Sequence, residues 1–206
     1  KYFGYTLFIE SDEWWEKTLG ITDSTIHNMD PEELVAMVAA KVVENKWALS
    51  SASTGTDYTD PNNALNQFVT YHIIPAKIEP NKLVIHFNEL WYNLSDKVKK
   101  ASVYDFYTTM GKRRLLKTYE AAKTFDGKRN TIYLNRFPIL NNATDGDYTE
   151  VGCEDGKQGV EIITEGNPET YNGYIYRLND VLYYNDNTVE TMGKERIRID
   201  VATMFP

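Results

Sequence analysis

Asn63-Ala64-Leu65-Asn66-Gln67-Phe68-Val69-Thr70-Tyr71-His72-Ile73-Ile74-Pro75 is the stretch on which the reading of the fold turns. Leu65, Phe68, Val69 and His72 recur near the 3.6-residue period and share one helical face. Asp60-Pro61, just upstream, supplies an opening: an acidic cap followed by a residue with φ already set for a helix. Pro75 disfavours helix in the residue before it, so Ile73-Ile74-Pro75 leaves the helix in extended form.

Upstream, Gly4 to Glu10 reads as a strand, with Tyr5, Leu7 and Ile9 alternating against Thr6 and Phe8. Ser11 caps a short helix whose first turn carries Asp12 and Glu13, suited to the positive end of the helix dipole. That helix holds Trp14, Trp15 and Leu19, and Gly20 ends it. Asp30-Pro31-Glu32-Glu33 starts a longer helix that runs to about Leu49, with Leu34, Val35, Val38, Val42 and Trp47 near helical spacing. Ser50 to Thr59 is polar and reads as a loop.

Downstream, strand signals dominate. Lys82 to Phe87, Val103 to Thr109 and Arg114 to Tyr119 alternate, the last two flanking a turn at Met110-Gly111-Lys112. Asp126-Gly127 marks a turn before a strand over Thr131 to Phe137. Asn141 to Lys157 reads as an exposed polar excursion. Val160 to Thr164, Tyr174 to Leu178, Val181 to Tyr184 and Arg196 to Asp200 complete the set. Helices first, then antiparallel-type strands, is the order of an α+β domain rather than an alternating α/β sheet.

A chain of 206 residues suits one large domain. The net charge of −8 removes long-range attraction to nucleic acid. The basic run Lys112-Arg113-Arg114 is too short to reverse it and reads as a solvated turn. Cys153 is the single cysteine, so the chain has no internal disulfide. No apolar run approaches the roughly 20 residues of a membrane span. Signal-peptide features are lacking, and a start at Lys1 rather than Met carries the expectation that an upstream segment was removed.

Three segments, in order, resemble the signature segments of fasciclin domains. Thr6-Leu7-Phe8-Ile9-Glu10-Ser11-Asp12-Glu13-Trp14 resembles the first, a strand of the type TVFAPTDEAF running into a helix. Asn63 to Pro75 resembles the central helix that ends in a Tyr-His pair, here Tyr71-His72. Asn172-Gly173-Tyr174-Ile175-Tyr176-Arg177-Leu178-Asn179-Asp180-Val181-Leu182 resembles the closing segment, of the type NGVIHVIDKVL. The resemblance covers residues 4 to 186, with a truncated start and insertions near 50–59 and 141–157; 187–206 is a C-terminal extension or the start of a following segment. Ile9-Glu10 departs from the family's Ala-Pro.

The resemblance implies a wedge-shaped β-sandwich decorated with helices. It also implies a non-catalytic adhesion or ligand-binding module with no cofactor. Its departures are similar to divergent fasciclin-like proteins of the Gram-negative envelope, often lipoproteins. A protein or glycan ligand at the cell surface is the implied partner. Contact with the membrane would come only through a lipid anchor elsewhere, and no nucleic-acid partner is expected.

Four residues stand out as binding candidates: Tyr71, His72, Trp91 and Tyr92. In the family the Tyr-His pair is linked to adhesion. The competing physical reading is that Tyr71 and His72 tie a helix end to neighbouring strands, since a histidine is favoured near a helix C-terminus. Trp91-Tyr92, in a polar connection, could stack on a sugar, enter a partner's pocket or anchor the loop to its own core. Trp14, Trp15 and Trp47 read as core. His27, His72 and His86 are too widely spaced for a zinc site. Asn142, Asp145, Asp147 and Glu150 offer hard oxygens but lack the order of a calcium loop, and read as a solvated turn. No nucleophile elbow surrounds Ser50, Ser51 or Ser53, and no phosphate-cradling glycine loop exists. A hydrolytic carboxylate pair would depend on spatial separation, which spacing along the chain does not give.

Overall fold

The computed structural model describes residues 4–84, 105–111, 114–121, 131–142, 147–153, 159–163, 167 and 169–194. The fold is mixed α+β, with a large β-sheet and several helices. By packing, the chain divides into two compact units. One comprises Lys1–Ile78, Thr108–Arg114 and Ile162–Asp186; the other comprises Glu79–Tyr107, Leu115–Glu161 and Asn187–Pro206.

In the first unit, β1 (Tyr5–Glu10) lies between β2 (Ile73–Ile74) and β10 (Gly173–Leu178). β2 is antiparallel to β1, and β10 runs parallel to it, with Tyr5 opposite Gly173 and Glu10 opposite Leu178. That parallel pair departs from the antiparallel-type arrangement expected. β10 also takes β9 (Glu169–Thr170) and, through Ile162 and Ile163, the end of β8 (Val160–Ile163). Residues 181–184, expected as a strand, take no regular structure.

The faces of β1 reveal what the alternation concealed. Thr6, Phe8 and Glu10 are buried, whereas Tyr5 and Ile9 are exposed. The polar inward residues are tolerated because each has partners, as burial requires. The Thr6 hydroxyl donates to Ala76 O at 2.8 Å and accepts from Ile78 N at 3.0 Å. Phe8 stacks on Tyr176, with ring centroids 5.8 Å apart.

Helix α1 (Asp12–Leu19) is capped by the Ser11 hydroxyl, which accepts from Trp14 N, and ends at Gly20 with φ 69°. A short helix, α2 (Asp23–Ile26), follows with a capping box at Thr22 and Thr25. α3 (Pro31–Glu44) starts at the Asp30 cap and proline. It stops five residues before Leu49, because Asn45 closes it and Lys46 turns left-handed at φ 56°. α4 (Ala64–Tyr71) starts at Asn63 rather than Asp60. Asn63 is buried; its Oδ1 accepts from Leu65 N at 2.9 Å and its Nδ2 donates to Gly55 O at 2.6 Å. Asp60 instead accepts from Asn62 N and shapes the preceding turn.

The core of this unit gathers Val42, Trp47, Ala48, Ala64, Leu65, Phe68, Val181 and Tyr183, with Trp14, Val38, Ala39, Ala52 and Tyr58 packed against it. Each fully buried large side chain contributes about 1.5–3 kcal/mol. Trp47 is buried in it, Trp14 is partly buried, and Trp15 is half-buried and edge-on to Trp14.

In the second unit, a 3-10 turn (Pro80–Lys82) stands where the strand Lys82 to Phe87 was expected to begin; residues 85–87 lie outside the described residues, as do Arg196 to Asp200. β4 (Leu115–Ala121) pairs antiparallel with β5 (Thr131–Leu134), and β5 pairs with Val160 and Glu161 of β8. β3 (Asp105–Thr108) precedes them. Asn135, with φ 54°, ends β5 early, so the single strand expected over Thr131 to Phe137 is split. β6 (Phe137–Asn142) and β7 (Asp147–Val151) form a hairpin. The region expected as a polar excursion is therefore partly a two-stranded sheet. Residues 186–194 are helical, an element not foreseen.

Candidate functional site

Two ends of α4 present different chemistry. At its C-terminus, His72 caps the helix and is 7% exposed, while Glu10 at the end of β1 is 4% exposed. His72 Nε2 lies 2.8 Å from Glu10 Oε1, and Nδ1 lies 2.8 Å from Phe68 O. A carbonyl only accepts, so Nδ1 carries a proton. With Glu10 ionised, Nε2 carries one too, and the pair is imidazolium and carboxylate. Leu182 N also donates to Glu10 Oε1, at 3.2 Å. One junction thus ties β1, the end of α4 and the segment after β10.

Burial alone would raise the Glu10 carboxyl, but the His72 charge and hydrogen bond, with N–H donation from Leu182, hold it below its ordinary value. Burial alone would depress His72, yet the Glu10 charge and hydrogen bond, with the Phe68 carbonyl, raise it. Both shifts favour the charged pair. Phe68 stands against the imidazole with centroids 4.6 Å apart. Both ring nitrogens of His72 have partners inside the protein.

Tyr71 is 0% exposed and packs on Tyr184, centroids 5.0 Å apart. Tyr71 and His72 are therefore interior groups. Trp91 and Tyr92 lie outside the described residues, as do His86 and Asp145. His27 is exposed and its Nδ1 lies 2.7 Å from Asp23 O. Asn142 lies in β6, and Asp147 and Glu150 in β7. Among the described residues no group of three or more His, Cys, Asp or Glu could hold a metal ion. Arg114, read as part of a solvated turn, is buried; Lys112 and Arg113 lie outside the described residues.

At the N-terminal end of α4 lies an open groove of about 470 Å³. Ala36, Ala39, Ala40 and Val43 of α3 form one wall; Thr54, Gly55 and Tyr58 face it, and Asn63 to Leu65 form the end. Small side chains keep the floor low, Tyr58 offers a ring, and Glu44 places a carboxylate at the rim. The volume lies within the range of small-ligand pockets.

Sequence reasoning found His72 but missed its partner. The signal for Glu10 was present as the departure from Ala-Pro, yet nothing local says that residue 10 meets residue 72. The groove left a fainter trace: Ala36, Ala39 and Ala40 lie at spacings of three and four along α3. No protein-family model and no curated protein matches this chain.

Proposed function

We propose that the chain is a non-catalytic ligand-binding or adhesion module of the cell envelope, of fasciclin-like wedge-shaped β-sandwich type, and that the groove between α3 and the N-terminal end of α4 is where it holds its ligand. The observation that carries this reading is the division of labour along α4. The titratable pair Glu10–His72 is enclosed and mutually satisfied, while the open concavity is walled by methyl groups and one aromatic ring. Such a wall favours recognition by shape and apolar contact rather than proton transfer.

A carbohydrate is the second ligand class, favoured by Tyr58 in the wall beside the polar Thr54, Asn63 and Glu44. A ring stacked on a sugar face with polar groups at its edge is a workable arrangement. A carboxylate-pair hydrolase has less support, because Glu44 is the one acid among the groove-lining residues. Location at the outer surface of a Gram-negative cell, through a lipid anchor elsewhere in the gene product, belongs to the same proposal.

The test joins a glycan array to surface plasmon resonance against immobilised envelope proteins, with wild type and Ala40→Trp. Ala40 is an exposed groove residue, so the variant fills the concavity without disturbing the core. Saturable binding by wild type that Ala40→Trp abolishes, with an unchanged melting temperature, supports the reading. Turnover of a bound glycan, or binding indifferent to Ala40→Trp, overturns it. Cytoplasmic recovery of the full gene product on cell fractionation would overturn the location.

A further inference from the structure

The groove at the N-terminal end of α4 is set in an acidic neighbourhood. Residues 30–67, which build it, carry six acidic side chains against Lys41 and Lys46, so half of the net charge of −8 falls in this stretch. Glu44 is the one charged residue among the groove-lining residues. It pairs with Lys41 at 2.8 Å, but its side chain is 64% exposed, and an exposed pair of this kind contributes little. Glu33, Ala36, Ala40, Val43 and Glu44 succeed one another at spacings of three and four along α3, so one strip of the helix has a methyl floor and an acid towards each end. Those two acids stand eleven residues apart, about 16 Å along the helix axis.

The end of the groove offers nothing to an anion. The first-turn N–H groups of α4 are engaged within the protein: Ala64 N donates to Ser53 O at 2.8 Å, Leu65 N and Asn66 N donate to Asn63 Oδ1 at 2.9 and 3.4 Å, and Gln67 N donates to Asn63 O at 2.9 Å. The facing loop is held in place by the same helix end. Asn63 Nδ2 donates to Gly55 O at 2.6 Å and Asn66 Nδ2 to Tyr58 O at 2.9 Å. A wall fixed before the ligand arrives lowers the cost of binding.

We propose that the groove takes a basic, extended segment of a partner protein, in which small apolar side chains alternate with Lys or Arg. This inference rests on the groove being the ligand site. An extended segment of about five residues spans the distance between the acids, and its alternation sends apolar groups to the floor and cations to the rim. A helix, about 10–12 Å across, is too thick for a volume of about 470 Å³ over that length. A free amine carries one charge and meets one end only. The acidic surroundings steer a basic partner inward and repel an acidic one.

The experiment is fluorescence anisotropy of the full chain with dye-labelled ten-residue peptides alternating Val/Lys, Val/Glu or Ser/Lys, at low and at physiological salt. Wild type is expected to bind Val/Lys saturably, Ser/Lys at least about tenfold more weakly, and Val/Glu not at all. Salt is expected to weaken Val/Lys binding. Glu33→Lys with Glu44→Lys is expected to weaken it by about tenfold or more, whereas Glu13→Lys with Glu16→Lys, the same charge change on α1, leaves it nearly unaltered. Melting curves report that each variant folds; should the groove pair fail to, Glu33→Gln with Glu44→Gln replaces it. No saturable Val/Lys binding, equal binding of Val/Glu or Ser/Lys, or equal weakening by both charge reversals overturns this inference and leaves the groove standing. Val/Lys binding that persists in Ala40→Trp overturns the groove as the site, and the inference with it.

Discussion

The two ends of α4 are built for opposite purposes. At the Asn63 end the backbone is capped by a buried amide, and beyond it the surface falls away into a groove lined by alanines. At the His72 end the imidazole meets Glu10 and closes a buried joint between a helix and a strand. The same eight-residue helix therefore carries a rigid attachment at one end and a free surface at the other. The contrast teaches that a conspicuous titratable residue is not of itself a sign of chemistry. What matters is whether its hydrogen-bonding capacity is already committed.

The largest effect that can break this contrast is removal of one member of the buried pair. Glu10→Gln or His72→Ala leaves a buried group uncompensated and is expected to cost about 3–5 kcal/mol. For a chain of this size that lowers the melting temperature by about 6–20 °C, measurable by calorimetry. The double replacement Glu10→Met with His72→Leu removes both charges and is expected to recover much of the loss. If the single variants melt with wild type, the junction is not structural. If they lose ligand binding without losing stability, the roles of the two ends must be exchanged.

A pH series tests the same joint without mutation. Glu10 is lowered from 4.5, so its contribution is present above that value and is lost as pH falls through the lowered folded value. His72 is raised from 6.5, so its contribution is full below 6.5 and is lost as pH rises through the raised folded value. The pair's contribution is therefore greatest between pH 4.5 and 6.5, and falls away on both sides. Comparing unfolding free energies of wild type with the Met/Leu double variant isolates it: a difference that does not vary with pH would dissolve the ion pair.

At the other end of the helix the effects are smaller. Asn63→Ala removes the α4 cap and the bond to Gly55 O, and is expected to cost about 1–2 kcal/mol. Denaturant midpoints check this, and a change below the detection limit would show the cap to be dispensable. Smallest of all, Ala40→Trp is expected to shift stability by no more than about 0.5 kcal/mol, as surface substitutions do. Its consequence is confined to the groove. A large loss of stability would mean that the alanine floor is core rather than surface.

Much of the helical part of the fold could be read from local chemistry, because caps and breakers act within a few residues. Ser11, Asp30 and Pro31 do what their side chains dictate, and Gly20 does what the lack of one allows. The start of α4 was displaced because Asn63 satisfies both Gly55 and the helix, whereas Asp60 forms its own turn. The hairpin of β6 and β7 was hidden because Pro138 weakens the strand signal in β6 and β7 is largely polar. The inward face of β1 was hidden for a related reason. Thr6 and Glu10 are polar yet buried, and what makes that possible lies at Ala76, Ile78, His72 and Leu182. Arg114 was masked by two basic neighbours that suggested a solvated turn. In each case the missing information was a partner distant along the chain.

The parallel register of β1 against β10 carries a consequence for how the protein comes into being. Tyr5 pairs with Gly173, so β1 is made long before that neighbour exists. Pairings so far apart along the chain form slowly. A nascent chain that ends before β10 holds Phe8 without the Tyr176 ring that stacks on it. The β1 segment must therefore be kept from aggregating until almost the whole of the unit has emerged.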